Sequence, residues 1–240
     1  FALARDASVE PITPTQNDEI QNNCGRIGGN SKTGINKIDF GDLARPGQFP
    51  WAAAMEHGTM ERLCSATLIS SRHALTAAHC VLRLDMCTNC GYDNRKKCFY
   101  SNTLSNVEKT SDPSGWTIAY GGHCDTRVGV RAIAWDERYI NICSQFDMAI
   151  VEFERDVEFD FEHGSTIPIC LADPSFDFNA TTATFFGFGV VAQDNDATIH
   201  TLHSQLRYGM ARHTYTKMDG GEMFVSTYLL SSRAVATTSN

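Results

Sequence analysis

The chain has 240 residues, 42% of them hydrophobic and 20% charged, and its net charge is −8. That length can bury one large β domain or two small ones, and no apolar run reaches the roughly 20 residues that a membrane helix needs. The excess of acid excludes a nucleic-acid partner, because such binding rests on Lys and Arg neutralising phosphates. The expectation is an ordinary soluble globular protein with neither membrane nor nucleic acid among its partners. Nine cysteines point further, to an oxidising compartment and a disulfide framework, hence to a secreted, extracellular protein.

At the amino terminus, Ala2-Leu3-Ala4 has the small-x-small form of a signal-peptidase site. It reads as the tail of a signal peptide, with an arbitrary apolar start as the alternative. Residues 5–37 are polar, rich in Asn, Gln, Thr, Pro and Gly, and carry no sustained apolar period of 2 or 3.6. That is the composition of a pro-segment or linker, so residues 1–37 are set apart from a domain over 38–240. After Trp51 come short apolar runs at 52–55, 63–69, 74–78, 116–120, 128–135, 148–153, 181–191, 201–210 and 223–230, broken by turn residues. Strands at such spacing predict an all-β barrel or sandwich.

Between 82 and 114 lies a polar insert with Cys87-Thr88-Asn89-Cys90 and Cys98. The C-x-x-C spacing suits a zinc or redox site. In an oxidising compartment loop disulfides that also involve Cys124 and Cys143 are favoured, so no metal is expected. His200 and His203 flank a strand-like run and face opposite sides of it, which defeats shared metal binding. His57, His73, His123, His163 and His213 have no convincing partner in sequence.

Thr76-Ala77-Ala78-His79-Cys80 ends an apolar run. It belongs to an ordered set with Pro46-Gly47-Gln48-Phe49-Pro50-Trp51, Cys64-Ser65-Ala66-Thr67-Leu68-Ile69, Phe146-Asp147-Met148-Ala149-Ile150, Pro168-Ile169-Cys170-Leu171 and Gly187-Phe188-Gly189. In these motifs the chain resembles the trypsin-like serine proteases, whose segment around the general-base histidine reads T-A-A-H-C. The resemblance implies two six-stranded antiparallel β-barrels, the second incomplete, with the active site in the cleft between them. It implies a serine-type endopeptidase made as a zymogen, acting on protein or peptide substrates and met by protein inhibitors, with no cofactor.

Peptide hydrolysis needs a nucleophile, a base to take its proton and a third group to hold the base in the right tautomer. By the resemblance His79 is the base and Asp147 the orienting carboxylate. A strand-end surface acid is the alternative for Asp147. Against it stands Met148-Ala149-Ile150-Val151, apolar on both faces as in a buried strand, so that an acid at its head is partly buried and needs a partner. The resemblance also pairs Cys64 with Cys80, stapling the loop of the base, and Cys24 with Cys170, tethering the pro-segment. Activation cleavage falls at Lys37-Ile38 or at Arg26-Ile27. Register favours the first, since Ile38 lies eight positions before Pro46, the family's spacing, although Asp39 and Phe40 stand where the family has Val-Gly. Asn179-Ala180-Thr181 is a glycosylation acceptor.

The family's nucleophile motif, G-D-S-G-G, does not occur in the chain. Asp219-Gly220-Gly221 comes nearest, 30 residues after Gly189 and too early. The chain stops about where the motif is due, so the expectation is a sequence truncated before its nucleophile and inactive alone. The alternatives are a catalytically inactive homologue acting as a secreted binding protein and, third, a cysteine-rich metal module.

Overall fold

The computed structural model describes residues 9–26, 42–58, 60–81, 90–93, 98–101, 113–122, 124–135, 147–173, 175, 182–188, 190–192, 200–202, 205–218 and 221–228. In chain order the elements are helix α1 (Pro14–Asn23) and strands β1 (Asp42–Leu43), β2 (Ala52–His57), β3 (Met60–Leu68) and β4 (His73–Thr76). A short helix α2 (Ala78–Val81) leads to β5 (Cys90–Asp93), β6 (Cys98–Ser101), β7 (Trp116–Tyr120), β8 (Thr126–Trp135) and β9 (Ala149–Phe153). The last strands are β10 (Thr182–Gly187), β11 (Val190–Ala192), β12 (His200–Leu202), β13 (Arg207–Met218) and β14 (Gly221–Tyr228).

The fold is all-β with little helix. Strands β2, β3, β4, β9, β8 and β7 close, in that order, into an antiparallel barrel. Met55, Leu68, Ile118, Ile133, Val151 and Phe153 fill it and are fully buried, each contributing about 1.5–3 kcal/mol. Alanines 53, 66, 74 and 149 line the same core and leave room for these larger side chains. The run 52–55 is apolar throughout because both faces of β2 are covered. Ala53 and Met55 point into the barrel, while Ala54 packs outside it with Ala119, Cys124 and Phe188.

Strand β8 carries an irregularity that decides where a charge goes. Val130 pairs with Phe153 and Ala132 with Glu152, so Arg131 is an extra residue in the ladder. Such a bulge shifts the inward parity by one. Val128 and Val130 face the core before it, Ile133 and Trp135 after it.

The second closed barrel implied by the resemblance is not found among the described residues. In its place β1, β13, β10 and β14 form a four-stranded antiparallel sheet, with β13 pairing all three others. Strands β11 and β12 pair only with each other over three residues, so the sheet does not close. The sheet meets the barrel through aromatic rings. Phe49 stacks on Phe186 at 5.1 Å between ring centres, with Tyr208 5.3 Å from Phe49 and Trp51 6.4 Å from Phe186.

Two further differences from the sequence reading have local causes. The polar segment 5–37 contains α1, whose ends are satisfied by capping and not by an apolar stripe. Thr13 Oγ1 accepts from Gln16 N, Gln16 Oε1 accepts from Thr13 N, and Pro14 opens the first turn. Ile20 alone is buried in it. The run 181–191 breaks at Phe188, whose N–H donates to Ser65 Oγ at 2.8 Å and whose carbonyl accepts from the same hydroxyl at 3.2 Å. That residue is thereby satisfied by a barrel side chain instead of a strand partner.

Candidate active site

Strand β4 ends at Thr76, whose hydroxyl donates to the Ser65 carbonyl at 2.9 Å. The chain then turns at Ala77 into α2, where Cys80 N donates back to Ala77 O at 3.1 Å. Ala78 and Val81 anchor this turn in the core. A disulfide between Cys64 and Cys80, with Cα atoms 6.1 Å apart, ties it to β3. The backbone of His79 is held between these anchors, and its side chain lies outside the described residues.

Asp147 is half-buried at the head of β9. In the β4–β9 ladder Thr76 pairs with Ala149 and His73 with Glu152. His79 follows Thr76 by three residues and Asp147 precedes Ala149 by two. Antiparallel register therefore brings the backbone segments bearing His79 and Asp147 to the same end of the barrel, although 68 positions separate them in sequence. Near this end Gly187 approaches β3 so closely that a Cβ on it would lie 2.8 Å from Ser65 Oγ. Ser65 thus joins the barrel to the loop after β10, a contact that the sequence reading quoted as a motif but gave no role.

The opposite end of the same strand pair holds a charge cluster that the sequence reading missed. Glu152 has no exposed surface. It accepts from Arg131 Nε at 2.8 Å and from Arg131 Nη2 and Arg72 Nε at 2.7 and 3.4 Å. Burial works against its charge, but the Glu10 N–H and Arg131 outweigh burial and hold the carboxyl below its ordinary range. His73 is buried beside it and bonds Ser70 Oγ through Nδ1 at 2.8 Å. Burial pushes its imidazole below the ordinary histidine value. The signal was present in the sequence: one acid inside the apolar run 148–153.

Cys24 is bonded to Cys170, with Cα atoms 5.0 Å apart. Cys124 lies on the outer face of the barrel, packed with Ala54 and Ala119. It is buried at φ +54°, its thiol donating to the Ala52 carbonyl at 3.9 Å. The backbones of Cys90 and Cys98 lie in a β5–β6 hairpin opposite Ser101 and Asp93. His200 is the first residue of β12, opposite Ala192. Besides His73, two histidines without a partner in sequence have one in space, for His163 pairs with Asp160 at 3.1 Å and His57 lies against Trp116 at 4.8 Å between ring centres. Asp160 is held at about 2 by the His163 N–H first and the Ser165 hydroxyl second. Lys37, Ile38, Cys87, Cys143, Asn179, His123 and His203, and residues 2–4 expected to end a signal peptide, lie outside the described residues.

A closed six-stranded antiparallel barrel with a disulfide-stapled histidine turn beside an aspartate-headed strand is the framework of a chymotrypsin-type domain. A family model described as Trypsin matches residues 38–228, and the chain belongs to this family of serine proteases, whose members act on protein substrates. It is 28% identical over 211 residues to human Testisin, covering 81% of this chain and 57% of that protein. Over 161 residues it is 26% identical to human Transmembrane protease serine 11A, covering 65% and 31%. Mouse Transmembrane protease serine 11E is 23% identical over 206 residues, covering 83% and 42%. The chain thus spans less than two thirds of the length of these relatives. The names of the two Transmembrane protease serine relatives overturn the expectation of a secreted, extracellular protein and give no support to the expectation of no membrane partner. Among the described residues no helix is long and apolar enough to cross a membrane. A disulfide framework needs only an oxidising compartment, which does not separate a released domain from a tethered one.

Proposed function

We propose that the chain carries the acid–base half of a serine endopeptidase, with His79 as the general base and Asp147 as the carboxylate that orients it. The observation that supports this most is the β4–β9 register, which brings both segments to one end of a rigid barrel. There a serine hydroxyl attacking a peptide carbonyl would pass its proton to His79, which would return it to the leaving amine. Asp147 would hold the imidazole in the tautomer that accepts, and would stabilise its charged form. The staple from Cys64 to Cys80 fixes the base. The serine itself is expected in a G-D-S-G-G motif, which these 240 residues do not contain.

The zymogen reading places activation at Lys37-Ile38, with the amino-terminal segment kept by the Cys24–Cys170 bond. The names of the relatives suggest work at a membrane, on its oxidising side. The missing motif also favours a second reading, an inactive homologue that binds without cutting. Two measurements separate them. The purified chain, cut after Lys37 and offered a panel of peptides, is expected to hydrolyse none, and hydrolysis abolished by His79→Ala would overturn the assignment of the nucleophile to an external motif. Sequencing the transcript beyond the Asn240 codon is expected to find G-D-S-G-G in frame, and a stop codon first would favour the binding protein.

A further inference from the structure

The ladder between β3 and β4 pairs Thr67 with Leu75 and Leu68 with Ala74. Cys64, Ser65 and Thr76 lie past that pairing, at the corner where the chain parts into the turn of His79. Side chains take over there from backbone pairing. Thr76 donates its hydroxyl to the Ser65 carbonyl at 2.9 Å, and Cys64 is bonded to Cys80. Both flanks of the His79 turn are thus tied to Ser65 or to its neighbour.

The hydroxyl of Ser65 reaches the other way, to the loop after β10. It accepts from Phe188 N at 2.8 Å and donates to Phe188 O at 3.2 Å, so both of its roles serve one residue. The Phe188 side chain is seated separately, against the cluster of Ala54, Ala119 and Cys124, and Ala54 is the residue opposite Ser65 in the ladder of β2 and β3. Gly187 sets how near the loop comes. A Cβ on it would stand 2.8 Å from Ser65 Oγ and 3.6 Å from Ser65 Cβ, the first of these too close for any side chain, so glycine alone permits the approach.

We propose that Ser65 is a positioning residue: its hydroxyl sets the loop after β10 against the corner that carries His79, so that the second sheet and the base keep one fixed relation. The proposal rests on the protease reading, in which a nucleophile expected after Gly189 must come within hydrogen-bonding reach of His79. In that reading the base belongs to the barrel and the nucleophile to the part of the chain that follows β10. Any slack between the two passes directly into their separation, and a misplacement of about 1 Å can cost about a hundredfold in rate. The rings of Phe49, Phe186, Trp51 and Tyr208 hold the sheet to the barrel, but apolar burial has no direction. Hydrogen bonds do. Among the described residues Ser65 supplies them at the His79 corner, its carbonyl holding the end of β4 and its hydroxyl holding Phe188.

The test is NMR of the full chain labelled at nitrogen, comparing Ser65→Ala with the parent at one pH. The Phe188 amide is expected to exchange about tenfold faster, the Cys80 amide severalfold faster, and the ring nitrogen signals of His79 to shift, while Val151 in β9 keeps its protection. Should that variant fail to fold, Gly187→Ala leaves the hydroxyl in place but drives the loop away from it, and the same changes at Cys80 and His79 are expected. Faster exchange at Phe188 with Cys80 and His79 unmoved would overturn the proposal, because the contact would then be structural alone. Equal acceleration at Val151 would overturn it as well, since the serine would then hold the whole barrel. Asp147→Ala separates the two readings. His79 signals that respond to Asp147→Ala but to neither of the other variants would overturn the role of Ser65 alone, and signals indifferent to Asp147→Ala would overturn the protease reading and this role with it.

Discussion

Glu152 and Arg131 are unequal partners. The carboxylate has no exposure, whereas the guanidinium is one third exposed at 33%. Removing the arginine leaves a buried acid with only the 3.4 Å contact to Arg72 and the Glu10 N–H. Removing the charge of the acid leaves a cation that water can reach. Breaking a buried pair from the side that strands the buried charge costs about 3 kcal/mol or more. Arg131→Ala is accordingly expected to lower the unfolding free energy by about 3 kcal/mol, and by more than Glu152→Gln, in urea titrations of both variants at pH 7. An equal or smaller loss in Arg131→Ala would contradict this. The acid was visible in the sequence as a charge within the run 148–153, but its partners were not. Arg131 comes from a bulge, and a period-2 reading of 128–135 has no place for the residue that shifts the parity.

Among the elements, the strands were the most legible. The run 116–120 coincides with β7, and 148–153 contains β9, because strands buried on both faces write themselves as continuous apolar runs. What was hidden depends on polar contacts. Helix α1 rests on the Thr13–Gln16 capping box and carries no apolar stripe, so a search for periodicity passes over it. The break between β10 and β11 is made by the Ser65 hydroxyl, 123 residues away in sequence. The turn bearing His79 was legible as a motif, and its rigidity comes from the bond between Cys64 and Cys80, 16 residues apart. Closing a loop of that size is worth about 3 kcal/mol. The double variant Cys64→Ser, Cys80→Ser is expected to lose about that amount in guanidinium unfolding, with the amides of Ala78 to Val81 exchanging faster while those of β7 hold. Equal loosening of both would show that the staple acts on the whole barrel and not on the turn.

At the scale of the molecule, one barrel is complete and a four-stranded sheet leans on it through Phe49, Phe186, Trp51 and Tyr208. The barrel brings the segments of the proposed base and its proposed orienting acid to one end, since both flank the β4–β9 pair. In the sequence the motifs around His79 and Asp147 are present, and G-D-S-G-G does not occur within these 240 residues. The central claim, that Asp147 orients His79, needs no serine to be tested. Proton NMR of the chain labelled at histidine nitrogen should resolve an Nδ1–H of His79 protected from exchange by its hydrogen bond, and Asp147→Ala should abolish that signal while the barrel amides stay in place. A His79 signal indifferent to Asp147→Ala would contradict the account.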